Sequence, residues 1–178
     1  MAEGCSYISC RDGLQLCSSK GIILACPFFV PREIVNDGSW PHPARLPLGA
    51  GWSGTCCAGQ DAERALVVQP PHIRDLCNLG YATGCPNLPA SRDWDAVRFS
   101  VAGSSPEQIT LCYVCELGHA PVESGTLIYD LGREIWRHAP KDPRVHRLAI
   151  SYLYAYRARR LSSATTSATP IAPSSNPG

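Results

Sequence analysis

The sequence predicts an α+β protein: an irregular, cysteine-bearing N-terminal half, then a small three-stranded antiparallel sheet packed by a C-terminal helix. Three observations carry that expectation. Proline and glycine crowd residues 21–94, apolar and polar residues alternate between 95 and 131, and one amphipathic helical pattern runs over 143–160.

The first stretch holds Pro27, Pro31, Trp40-Pro41-His42-Pro43, Pro47, Gly49, Gly51 and Gly54. Proline is excluded from helix interiors and central strands, so most of this region reads as ordered loop. A loop of that length needs something to fold around, and a metal centre would supply it. One short helix is expected after Pro70-Pro71, where Ile73, Leu76, Cys77 and Gly80 fall at i, i+3, i+4 and i+7. Gly80 would stop it, and Cys77 would face inward.

Beyond residue 94 the period changes to two. Val97, Phe99 and Val101 define one strand, and Ile109, Leu111, Tyr113 and Cys115 a second, with Gly103-Ser104-Ser105-Pro106 as the turn between them. Thr126–Leu131 gives a third after a turn at Glu123-Ser124-Gly125, and the short links favour an antiparallel meander. Asp142-Pro143 then caps and opens a helix whose face is Val145, Leu148, Ala149, Tyr152, Leu153 and Tyr156. Leu148, Tyr152 and Tyr156 are expected to pack on the sheet. Arg157, Arg159 and Arg160 read as last-turn cations that favour the helix dipole. The expected organisation is a poorly ordered leader over 1–20, one globular metal- or cluster-binding domain over 21–160, and a disordered tail over 161–178 rich in Ser, Thr, Ala and Pro.

Composition bounds the function. Across 178 residues, 44% are apolar, enough for a core without covalent staples, and only 17% are charged. A formal net charge of +1 provides no global field to draw nucleic acid or an anionic membrane. No run approaches the roughly 18 apolar residues of a membrane helix, since the longest, Gly21 to Val30, is broken by Cys26-Pro27. The ten cysteines are the anomaly. The opening residues are acidic and polar rather than basic and then apolar, so they do not read as a secretory signal. The expectation is a cytoplasmic, reducing location, where cysteines serve as ligands, catalytic thiols or buried small hydrophobes more often than as disulfides.

The chemistry is expected at Cys26-Pro27, Cys56-Cys57, Cys77 and Cys85-Pro86. Adjacent cysteines rarely both bind one centre, so the pair counts once. The result is four thiolates from four separated segments, which suits tetrahedral zinc or a four-iron cluster. Structural zinc sites usually take ligands in close pairs, whereas the nearest two here, Cys77 and Cys85, have seven residues between them. A cubane presents irons at separate corners and accepts wider intervals. Cysteine followed by proline also ends the bacterial ferredoxin run. These features favour a [4Fe–4S] cluster, covered by Trp52, Leu76 and Tyr81. Zinc, or simple burial of the thiols as core filler, is the competing reading.

Several segments carry a resemblance. Cys26-Pro27-Phe28-Phe29, the run from Trp40 to Gly49, and Leu76-Cys77-Asn78-Leu79-Gly80-Tyr81-Ala82 with Cys85-Pro86 resemble a group of uncharacterised bacterial cysteine-rich proteins of iron–sulfur type, over roughly residues 21–160. The resemblance implies no established activity. Its Gly-x-Cys-x-Ala pattern matches Gly54 to Ala58 and implies Cys56 rather than Cys57 as ligand, giving the set Cys26, Cys56, Cys77 and Cys85. Cys5, Cys10 and Cys17 lie outside it.

Other signals are weaker. Cys112-Tyr113-Val114-Cys115 has a knuckle-like gap, but residues i and i+3 of a strand face opposite ways. Cys115, His119 and Glu123 have the residue types for a metal-dependent enzyme site in the loop after that strand, although such residues are common on surfaces. His42 reads as exposed or capping a backbone carbonyl, and His138 and His146 as solvated. Two functional classes therefore stand beside a cluster protein with a redox partner: an enzyme using that loop, and a zinc-binding or metal-free interaction module.

Overall fold

A computed structural model describes residues 24–40, 42–58, 69–79 and 84–166. The expected leader and its three cysteines, and the end of the tail, lie outside those residues.

The alternation beyond residue 94 builds a four-stranded antiparallel meander, not the three strands expected. It comprises β3 (Ala96–Ser104), β4 (Gln108–Leu117), β5 (Ala120–Asp130) and β6 (Ile135–His138), in that order across the sheet. The fourth strand is only four residues long and mostly exposed, so it lacks the inside–outside alternation that marks the others. It is anchored by Trp136, whose ring meets Tyr129 edge-on at 5.1 Å. The β4–β5 turn also differs from the expected one. It falls at Gly118 and His119, both at positive φ, the two-residue hairpin geometry that matches strand twist. Glu123 to Gly125 instead lie inside β5. Gly125 is small because Tyr113 lies against it: a Cβ there would come within 2.6 Å of the ring.

A second sheet forms where loop was expected. Strands β1 (Phe29–Ile34) and β2 (Trp52–Cys56) pair antiparallel, with Phe29 opposite Cys56 and Ile34 opposite Trp52. Pro31 hides β1 in the sequence, yet the register shifts between Pro31 and Glu33, and a bulge in an edge strand is one of the few places that tolerate proline. Further on, Pro70–His72 (α1) opens a helical turn that continues as a π-helix over Ile73–Asn78. Cys77 is buried, as its spacing implies, and Ile73 and Leu76 are partly buried against the core. Gly80 lies outside the described residues.

One bridge ties the two sheets together. Ala25 and Val97 exchange backbone hydrogen bonds of 2.8 and 3.0 Å, fastening the segment that carries Cys26 to the edge strand β3. The long helix α2 (Pro143–Thr166) opens at Asp142, whose carboxylate accepts the Arg144 N–H at 2.7 Å. It continues into what the sequence suggested was tail. Val145, Leu148 and Ala149 are fully buried, and Tyr152 stacks on Phe99 of β3 at 5.6 Å. Tyr152 and Tyr156 are only partly buried, packed against the edge of the core. None of the described helices is long and apolar enough to cross a membrane.

Candidate metal centre

The two sheets and the π-helical turn bring the cysteines of four separate segments together. Cys26 sits where the chain turns at Pro27 into β1, with Phe29 N–H bonded to the Cys26 carbonyl at 3.2 Å. That turn aims the N–H groups of Phe28 and Phe29 at the Cys26 sulfur. Its own N–H donates to the Cys77 carbonyl at 3.3 Å. Cys56 ends β2 directly across from Phe29 and accepts the Ala58 N–H at 3.4 Å. Cys85 is half-buried and starts a turn in which Leu88 N–H reaches its carbonyl at 3.1 Å.

Asn78 ties the π-helical turn to β2, and sequence reasoning missed it. Its side chain is buried. Oδ1 accepts the Trp52 N–H at 2.9 Å, and Nδ2 donates to the Trp52 carbonyl at 2.9 Å and the Ile73 carbonyl at 3.1 Å. The amide therefore takes the place of a neighbouring strand for one residue of β2. It fixes Cys77, its neighbour in sequence, relative to Cys56 four residues further along the strand. The only sequence signal was a polar residue following an inward-facing cysteine.

The electrostatics describe one neighbourhood. Burial pushes the Cys26 thiol up to about 12, with further upward contributions from Cys56 and Cys85. Burial likewise pushes Cys77 up to about 12, aided by Cys26, Cys56 and Cys85. Cys56 is raised by burial, then by Cys57 and Cys85. All six pairs among Cys26, Cys56, Cys77 and Cys85 thus interact. Ionising any one thiol makes ionising the others harder unless positive charge enters between them. The N–H groups aimed at Cys26 and Cys56 work in the opposite direction, since donors to sulfur favour the thiolate.

Adjacent Cys57 is turned elsewhere. Its backbone N–H and its thiol both donate to the Phe28 carbonyl, at 2.9 and 3.2 Å, and Arg147 of α2 approaches its sulfur at 3.5 Å.

Among the described residues, no three Cys, His, Asp or Glu side chains are close enough to hold a single metal ion. The four thiols share a neighbourhood without meeting at one point.

The second candidate comes together only in part. Cys115 is fully buried and lies opposite Glu123 in the β4–β5 register. Glu123 accepts the Tyr113 hydroxyl at 2.8 Å. Burial, with Glu123 and Asp142 nearby, pushes Cys115 up to about 12, a protonated thiol rather than a nucleophile. His119 belongs to the exposed turn and lies by Asp95 instead. Cys112 faces away from Cys115, beside Thr126 on the other side of the sheet at 3.9 Å. His42 and His138 are exposed, whereas His146 is half-buried edge-on to Trp136 at 6.1 Å, and not solvated as expected.

The chain matches no protein-family model, no curated protein and no solved structure.

Proposed function

We propose that this protein binds one iron–sulfur cluster, of the [4Fe–4S] type, through Cys26, Cys56, Cys77 and Cys85, for electron transfer or structural support. The observation that carries the reading is the mutual electrostatic interaction of those four thiols, three buried and one half-buried, drawn from four segments. A single zinc ion about 2.3 Å from each sulfur would need the sulfurs nearly in contact. A cube of iron and sulfide, with volume of its own, accepts thiols that share a pocket at wider spacing.

The chain's own residues would have three tasks. The N–H groups of Phe28, Phe29 and Ala58 would stabilise sulfur charge, Asn78 would hold the Cys77 turn to β2, and Trp52 and Leu76 would keep water away. An all-thiolate site leaves no open position for substrate, which favours electron transfer or support over catalysis and implies a redox protein as partner for the former. Cytoplasmic residence is part of the same proposal, because a thiolate-held cluster needs reducing surroundings; the four cysteines are free thiols, whereas Cys112 is disulfide-bonded.

Anaerobic purification is the test. The expected protein is brown, absorbs broadly near ~400 nm, and contains roughly four irons and four sulfides per chain. Colourless protein with one zinc would replace the cluster with a structural zinc site. Colourless, metal-free, stably folded protein would reduce the cysteines to packing.

A further inference from the structure

A half-open cavity of about 400 Å³ lies between the β3–β4 turn and α2. Its floor is apolar, formed by Ile109 and Leu131, and its rim carries Ser104, Tyr156, Arg157 and Arg160. The volume falls within the range of small-molecule sites, about 300–1,000 Å³. It is far too small for a folded partner.

The rim is cationic beyond what the helix requires. Arg157 and Arg160 would compensate the helix dipole only from the last turn. Because α2 runs on to Thr166, that turn contains no basic residue. Arg157 meets the exposed Glu134 at 3.4 Å. Arg160 donates to two neutral oxygens, Ser104 Oγ at 2.8 Å and Tyr156 Oη at 3.2 Å. Among the described residues, Arg157 thus meets one solvated carboxylate and Arg160 only these neutral hydroxyls, while the nearby Glu107 carboxylate accepts from the lining Ser105 Oγ at 2.7 Å. Burial pushes the Tyr156 hydroxyl up, but bonds from Ser104 and Arg160 and the charges of Arg160 and Arg159 outweigh it and leave the group below its ordinary value. Negative charge is favoured at this spot.

We propose that this cavity binds a small amphipathic acid, its carboxylate held by Arg160 and Arg157 with the Tyr156 and Ser104 hydroxyls, and its apolar body resting on Ile109 and Leu131. Arginine presents a planar fork that takes both oxygens of a carboxylate, and the adjacent hydroxyls can turn to donate. The apolar floor supplies the affinity a bare anion would lack, since each methylene removed from water contributes. The site is independent of the cysteines, so it stands whether or not they hold a cluster.

Calorimetric titration of the full chain with octanoate, 1-octanol and inorganic phosphate tests this. Octanoate should bind at one site per chain, and octanol and phosphate each at least about tenfold more weakly, because each lacks one half of the recognition. Arg160→Ala should weaken octanoate about tenfold or more, and Tyr156→Phe a few-fold, with the circular dichroism of both unchanged. Arg160 is exposed, so its loss leaves the core intact, and Tyr156→Phe removes one hydroxyl only. No octanoate binding overturns the proposal. So does binding matched by octanol or by phosphate, or binding that neither substitution alters.

Discussion

Removing the Asn78 amide tests whether the Cys77 turn is held to β2 as the geometry implies. Asn78→Ala deletes three hydrogen bonds, to the Trp52 N–H, the Trp52 carbonyl and the Ile73 carbonyl. Each such bond contributes about 1 kcal/mol net, and a buried backbone group left unpaired costs about 1–3 kcal/mol. Trp52 is only 5% exposed, so water has little access to repair its two groups. The expected loss is about 3–5 kcal/mol, a large part of the roughly 5–15 kcal/mol that holds a domain together. Urea unfolding of the metal-free protein gives the number, read from the midpoint at unchanged slope. Asn78→Asp separates two contributions, since it keeps the acceptor for Trp52 N–H but loses both donors and adds a buried charge. It should cost at least as much as alanine. If a cluster is bound, its iron should pass to a chelator several-fold faster from Asn78→Ala, because Cys77 is no longer fixed against Cys56. A loss below about 0.5 kcal/mol, within the range of ordinary surface substitutions, would refute the clamp.

Three further outcomes are expected. Cys56→Ser should lower bound iron far more than Cys57→Ser, because the Cys57 thiol is engaged by the Phe28 carbonyl and Arg147; equal loss in the two variants would refute that assignment. Leu148→Ala should destabilise by about 2–5 kcal/mol in urea unfolding, since Leu148 is fully buried on the inner face of α2. Burial pushes the Asp95 carboxyl up, but the Gly118 N–H and Arg92 outweigh it and hold it below the ordinary 3.8. Its stabilising contribution is therefore present above that pH and is lost as pH falls through the native value. Asp95→Asn should lose less stability than the parent between pH 7 and pH 3, and an unchanged pH dependence would count against the assignment.

The sheet and helix were legible where burial imposes a period. Val97 to Cys115 alternates because one face of β3 and β4 is buried in the core, and α2 announces itself through Asp142-Pro143 and a continuous apolar face. The strands that escaped notice lack that imprint. In β6, four mostly exposed residues carry no alternation. In β1, Pro31 argues against a strand to anyone who does not know that the register shifts there. Gly125 misled for a related reason: glycine marks both tight turns and close approach, and only the Tyr113 ring above it decides between them.

The cysteines follow a different logic. A thiol's position in sequence carries no period, so Cys26, Cys56, Cys77 and Cys85 could be singled out only by residue type, interval and local proline. What gathers them is long-range: the Ala25–Val97 bridge, the Phe29–Cys56 register and the Asn78 amide, none of which has a local signature. The same long-range pairing distinguishes Cys57 from Cys56, since it sets the Cys57 thiol against the Phe28 carbonyl and Arg147. It also dismantles the Cys115–His119–Glu123 grouping. Cys115 and Glu123 meet because they are cross-strand partners, while the positive-φ turn carries His119 to Asp95. Residue types name the candidates, and register selects among them. For that reason Asn78, which contributes no thiol, is as informative a position to substitute as any of the cysteines.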